Sequence, residues 1–151
     1  EVVSELARSS SSLDEFTFVQ ASDRPVALSG FASPSDAVQT IAFVQPKGRS
    51  ALLDGIYLGT QLTKAARNSR RILLVISDGE DNASRYTEAD IRNALSEAGV
   101  RVYTVGVNDS AEDPALLLRT AERTGGRHFG IEDASLPQTV LELSSSMRTQ
   151  P

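Results

Sequence analysis

Residues 70–86 constrain the fold of this chain more than any other stretch. Residues 72–76 form an unbroken apolar run rich in β-branched side chains, which is typical of a strand buried on both faces of a parallel sheet. An acidic, glycine-containing segment with Asp78, Glu80 and Asp81 follows at once. Open α/β sheets usually bind ligands at the carboxyl ends of their strands. The stretch therefore predicts a buried strand ending at a ligand site, with a turn of solvated acids as the alternative.

Helical and strand patterns alternate from residue 51 onward. The sequence predicts helices over 51–68, from Thr87 to Gly99 and from Asp113 to Gly125, and strands over 70–77, 100–107 and 127–129. Thr87, with Asp90 three residues later, is expected to cap the second of these helices, and Gly99 is expected to end it. Such alternation implies right-handed crossovers between parallel strands, with helices on both faces of an open sheet. The expected fold is therefore α/β and doubly wound.

The remaining segments add an edge and further helices to this sheet. Residues 16–20 and 26–28, joined by a turn-forming segment over 22–25, predict an antiparallel hairpin at the sheet edge. Helical patterns are also present in three other segments, 1–13, 33–46 and 135–147.

Composition excludes several functional classes. The net charge of −5, with no compensating basic cluster, argues against a nucleic-acid partner. The absence of cysteine excludes disulfides, thiolate metal sites and a cysteine nucleophile. No apolar run reaches the roughly 20 residues of a membrane span, and no signal peptide is present. Residues 1–151 are expected to be one domain that is truncated at its amino terminus, because Glu1 lies within a helical pattern.

Three stretches resemble the von Willebrand factor type A (VWA) domain, in its bacterial form. Residues 47–54 are similar to the family's glycine and Thr/Ser loop with the helix that follows it. Residues 72–82 are similar to its fourth strand and acidic loop, and residues 99–107 to its fifth strand. The resemblance implies a Rossmann-like sheet. It also implies an extracytoplasmic location, since bacterial members often belong to exported or envelope proteins.

The resemblance implies a metal-ion-dependent adhesion site. Family members build it from an Asp-x-Ser-x-Ser loop, a Thr and an Asp, and the last two positions fall on Ser50 and Asp78. Asp54, Glu80 and Asp81 are weaker candidates for an outer shell or rim. For each residue an ordinary alternative is open: a turn-forming aspartate at 78, a helix N-cap at 50, a surface acid in a first helical turn at 54, and solvated loop charges at 80 and 81.

The first metal-binding loop of the family is missing from the sequence. No Asp-x-Ser-x-Ser occurs in the 151 residues. The resemblance therefore implies that the family's central first strand, between the hairpin and the 72–76 strand, is absent together with three ligands. Mg²⁺ or Mn²⁺ is expected in the intact domain. Binding to these residues alone is expected to be weak or absent, because one hydroxyl and one carboxylate are too few for tight coordination.

The implied function is that of a non-enzymatic protein-binding module for adhesion or scaffolding. In such a module a partner protein contributes an acidic side chain to the cation. Two alternatives stay open: a Mg²⁺-dependent hydrolase or phosphoryl-transfer domain, and a metal-free structural VWA scaffold. No Walker loop or nucleophile elbow supports an enzyme. The single histidine, His128, has no nucleophile positioned by a motif, so a structural role is predicted for it.

Overall fold

A computed structural model describes residues 19–21, 25–27, 51–65, 71–77, 84–106 and 114–130. The helices predicted over 1–13, 33–46 and 135–147 lie outside these residues. The described elements, in chain order, are β1 (Val19–Ala21), β2 (Pro25–Ala27), α1 (Leu52–Thr63), β3 (Ile72–Ser77), α2 (Glu88–Ala98), β4 (Arg101–Gly106), α3 (Pro114–Arg123) and β5 (His128–Gly130). The alternation from α1 onward confirms the predicted α/β class.

The strands form two sheets. A parallel sheet has the order β3-β4-β5, with β3 paired to β4 from Ile72↔Arg101 to Ser77↔Gly106. The predicted hairpin is confirmed as antiparallel, since β1 pairs with β2. It was expected as an edge of the main sheet, but in the described part of the chain it is a separate two-stranded sheet. Helix α1 packs against both the hairpin and β3.

Both faces of the parallel sheet are buried. Successive side chains of a strand point to opposite faces, and here each face has its own apolar cluster. The first cluster contains Val75 and Val102 with side chains of all three described helices, among them Leu52, Ile56, Ile91, Leu95, Leu116 and Leu117. The second contains Tyr103, Val105 and Phe129, with Ile72 and Leu74 against it. Tyr103 and Val105 are 0% exposed. Burial of both faces agrees with the strand covered on both faces that the apolar run over 72–76 predicts.

The helix ends follow local chemistry. At the start of α2, Thr87 Oγ1 accepts a hydrogen bond from the Asp90 N–H, while the Asp90 carboxylate accepts one from the Thr87 N–H. Gly99 ends this helix with φ of 65°, a left-handed conformation that glycine adopts without steric cost. Both features were predicted. Helix α1, predicted to reach residue 68, ends instead at Thr63, where Lys64 N–H donates to Gln61 O in a tightened last turn.

The end of α3 lies directly against β4. The Val102 N–H donates to Thr124 Oγ1 at 2.7 Å. A Cβ added at Gly126 would overlap the Val102 carbonyl, so only glycine permits this approach. The close contact fixes the end of α3 beside the beginning of β4.

Candidate functional site

The predicted site lies where β3 and β4 end side by side. Ser77 pairs with Gly106 at this carboxyl edge, and α1 starts nearby with Ala51 as its N-cap. Four of the five predicted site residues, Ser50, Asp78, Glu80 and Asp81, lie outside the described residues. The fifth, Asp54, is described in full.

Asp54 is buried, with 7% of its surface exposed. Its Oδ1 accepts hydrogen bonds from the N–H groups of Arg85 and Tyr86, both at 2.9 Å, and its Oδ2 accepts one from Arg85 at 3.0 Å. A carboxylate that accepts several backbone N–H bonds compensates well for its loss of hydration. The alternative interpretation of Asp54 as a surface acid is therefore wrong. The residue is buried because a segment more than 30 positions away folds over it.

The same segment caps α1. The N-cap of α1 is Ala51, whose side chain cannot accept a hydrogen bond. The alternative that Ser50 is the N-cap residue is therefore wrong. Instead the Asp54 N–H, one of the free donors of the first turn, donates to Ser84 Oγ at 3.0 Å. Asp54 and the segment 84–86 thus exchange hydrogen bonds in both directions. This is a capping box built across the fold instead of along one helix.

This arrangement decides what Asp54 can do near a cation. Its Oδ1 already carries two N–H bonds and its Oδ2 carries one. A cation bound directly to Asp54 would compete with these donors, so the residue fits the outer role of holding the backbone in place. Among the described residues, no group of three or more His, Asp or Glu side chains could hold a metal ion.

An aromatic pair flanks this edge. The rings of Tyr57, one turn after Asp54, and Tyr86 are stacked with centroids 3.9 Å apart and planes at 15°. Tyr86 is 39% exposed. Partial burial and the neighbouring Tyr57 raise the pKa of the Tyr86 phenol. Nothing in the spacing of the two tyrosines along the sequence indicated that their rings would stack.

His128 is held inside the fold. Its Nδ1 lies 2.8 Å from Thr104 Oγ1, which donates its own proton to the Leu117 carbonyl at 3.2 Å. The hydroxyl therefore accepts from an Nδ1–H, and the histidine joins β5 to β4. Burial lowers the pKa of His128. These contacts account for the residue without a catalytic role.

Comparison with protein families gives one match. The family model of the von Willebrand factor type A domain matches residues 1–144. No curated protein was found to match the chain. Among the described residues, no helix is long and apolar enough to cross a membrane.

Solved structures share the fold. An aerotolerance-related membrane protein from Bacteroides fragilis, carrying multiple mutations to serine, has 13% identity and a TM-score of 0.78, and the match covers 99% of this chain and 86% of that one. A von Willebrand factor type A protein from Catenulispora acidiphila has 16% identity and a TM-score of 0.79 over 97% of this chain and 37% of the other. Proximal thread matrix protein 1 from the mussel byssus, with a zinc-occupied MIDAS motif, has 18% identity and a TM-score of 0.78, covering 95% and 38%. The chain thus spans less than two fifths of the last two proteins.

Proposed function

Since the chain belongs to the von Willebrand factor type A domain family, we propose that it is a non-enzymatic protein-binding module that engages its partner at the carboxyl edge of β3 and β4. Domains of this family are generally protein-interaction modules. A partner here would approach the segment after β3 and the beginning of α1.

The proposed binding depends on a divalent cation, Mg²⁺ or Mn²⁺. Asp78 supplies a carboxylate and Ser50 a hydroxyl, which are the oxygen ligands that such hard cations prefer. An acidic side chain of the partner completes the coordination. The cation, when bound, supplies the attraction between two acidic surfaces. Glu80 and Asp81 are proposed as rim charges, and Asp54 as the residue that positions the backbone behind the site.

The observation that carries this proposal is the exchange of hydrogen bonds between Asp54 and the segment 84–86. Strand β3 ends one residue before Asp78, and the N-cap of α1 is one residue after Ser50. Residues 78–83 follow β3 directly and precede Ser84, which is bonded to the first turn of α1. This acidic segment is therefore flanked on both sides by residues at the edge where Ser50 is expected.

We also propose that cation binding by the 151 residues alone is weak and that the domain functions outside the cytoplasm. The sequence contains no Asp-x-Ser-x-Ser, so a single carboxylate and one hydroxyl would bind Mn²⁺ with a dissociation constant on the order of millimolar. The extracytoplasmic location is supported by the fold shared with a bacterial membrane protein.

Titration with Mn²⁺ alone, followed by electron paramagnetic resonance of the free ion, tests the site. We expect weak binding that Asp78→Ala reduces by about tenfold or more, since it removes the only proposed anionic ligand. Glu97→Ala, an exposed acid on α2, is the matched control and should leave the affinity unchanged. Micromolar affinity, or equal effects of the two substitutions, would contradict the proposal.

A further inference from the structure

A groove lies between α2 and α3 at the opposite, amino edge of the parallel sheet. Its volume is about 750 Å³. One wall is the face of α2 around Arg92 and Ser96, the other is the end of α3 around Arg123, and the base is formed by the first residues of β3 and β4. The groove extends along α2 as far as Glu88, while the residues at its base begin the strands whose other ends form the proposed metal site.

Four arginines surround this groove: Arg71, Arg92, Arg101 and Arg123. Arg123 is paired with Glu88, but in the described part of the chain no ion pair joins the other three to a carboxylate. Among the described residues, three guanidinium groups without an ion pair thus surround one concave surface, in a chain whose net charge is −5. Concave surfaces lined by one sign of charge concentrate ligands of the opposite sign.

The groove already contains one carboxylate bound in the way that arginine favours. Glu88 accepts hydrogen bonds from Arg119 Nε at 2.8 Å and Nη2 at 3.1 Å, and from Arg123 Nη1 at 3.1 Å. The bidentate pair with Arg119 shows the fork geometry that suits carboxylates. The hydrogen bond from Arg119 is the main reason that the pKa of Glu88 is lowered.

At the other end of the groove, one guanidinium donor has no acceptor among the described residues. Arg71 Nη1 donates to the Ala98 carbonyl at 3.3 Å. Its Nε is buried and has no hydrogen-bond partner in the described part of the chain. Buried donors are almost always paired, so this one calls for an acceptor from outside. An anionic oxygen entering beside Arg71 would supply it.

We propose that this groove binds an acidic segment of another polypeptide. The groove is larger than one inorganic anion can fill, because its volume of about 750 Å³ equals that of roughly 25 liquid water molecules. No described residue that lines the groove is aromatic, and single-stranded nucleic acids are usually held by aromatic stacking. Successive carboxylates on an extended peptide would pair with several of the arginines that line the groove. This surface is separate from the cation-dependent edge and goes beyond the function proposed above.

Fluorescence anisotropy with a labelled peptide that alternates glutamate and alanine tests this inference. We expect saturable binding that is unchanged by EDTA, and no binding of the same peptide with glutamine in place of glutamate. Arg92→Glu and Arg101→Glu should each weaken binding about tenfold, equivalent to about 1.4 kcal/mol. Circular dichroism melting curves establish that the variants are folded.

Lys64→Glu is the matched control, since Lys64 is exposed but does not line the groove. It should change the affinity by less than about twofold, because exposed charges are screened beyond a Debye length. An equal effect of Lys64→Glu, failure of the glutamate peptide to bind, or tighter binding of an RNA oligonucleotide would overturn the proposal. So would displacement of the peptide by an equal concentration of citrate or phosphate. Loss of Mn²⁺ binding in Asp78→Ala, by contrast, concerns only the other edge.

Discussion

At the scale of single residues, Asp54 does the most to organise the candidate site. It accepts three hydrogen bonds from the segment that precedes α2 and donates its own N–H to Ser84. Because the carboxylate is buried, its solvation comes almost entirely from these N–H groups. The residue therefore stabilises the fold as well as the position of the edge.

Asp54→Ala should lower the free energy of unfolding by about 2–4 kcal/mol, because it leaves two partly buried backbone donors, the N–H groups of Arg85 and Tyr86, without an acceptor. Asp54→Asn keeps one acceptor oxygen and should cost less. Urea denaturation measures both values, and Glu97→Ala is the exposed acidic control. If Asp54→Ala unfolded at the same urea concentration as the parent chain, the structural role would be disproved.

Sequence patterns could not reveal this role. Asp54 was considered only as a rim acid or a surface acid, because its partners are 31 and 32 residues away. Hydrogen bonds over such separations leave no periodic signal. The stacking of Tyr57 on Tyr86 was missed for the same reason. By contrast, the capping box of Thr87 and Asp90 was predicted, since its two members are three residues apart.

At the scale of elements, ion pairs join α2 to α3. Glu88, at the beginning of α2, bonds to Arg119 and Arg123 on the last turns of α3. Side chains here are 33–38% exposed, so solvent screens the interaction and its contribution is small.

Glu88→Gln should lower the free energy of unfolding by about 1 kcal/mol or less at pH 7. The folded-state pKa of Glu88 lies below the unfolded value of 4.5, so this stabilisation is complete above pH 4.5 and is lost as pH falls through the lowered pKa. Urea denaturation from pH 7 to pH 3 should therefore show the difference between variant and parent vanish in acid. A difference that stayed constant over this range would exclude the charge as its cause.

The elements themselves were largely predictable from sequence. Period and capping residues indicated α1, α2, α3 and the three parallel strands, because each depends on neighbours within one or two turns. The end of α1 was predicted five residues too late. Helical composition continues after Thr63, but the last turn tightens there and the helix ends.

At the scale of the whole molecule, the chain presents two chemically different edges. The carboxyl edge is expected to be acidic around Asp78, while Arg71 and Arg101 of the groove lie at the amino edge. The six residues of β3 separate them by about 20 Å. The resemblance to the family indicated only the carboxyl edge. The arginines of the groove come from four separate segments of the chain, so no single stretch of sequence indicated that they would meet.

The distance between the edges predicts that their ligands bind independently at physiological ionic strength. A separation of about 20 Å exceeds the Debye length of about 8 Å at 0.15 M salt. The strands that connect the two edges are buried on both faces and have a single conformation in the described part of the chain, so they provide no conformational coupling. Arg101→Glu, at the amino end of β4, should therefore leave Mn²⁺ affinity unchanged at 0.15 M. At about 0.01 M, where the Debye length is about 30 Å, the added negative charge should strengthen Mn²⁺ binding slightly. A change of more than about threefold at 0.15 M, with Lys64→Glu at the exposed end of α1 as the control measured in parallel, would mean that a conformational change couples the two edges.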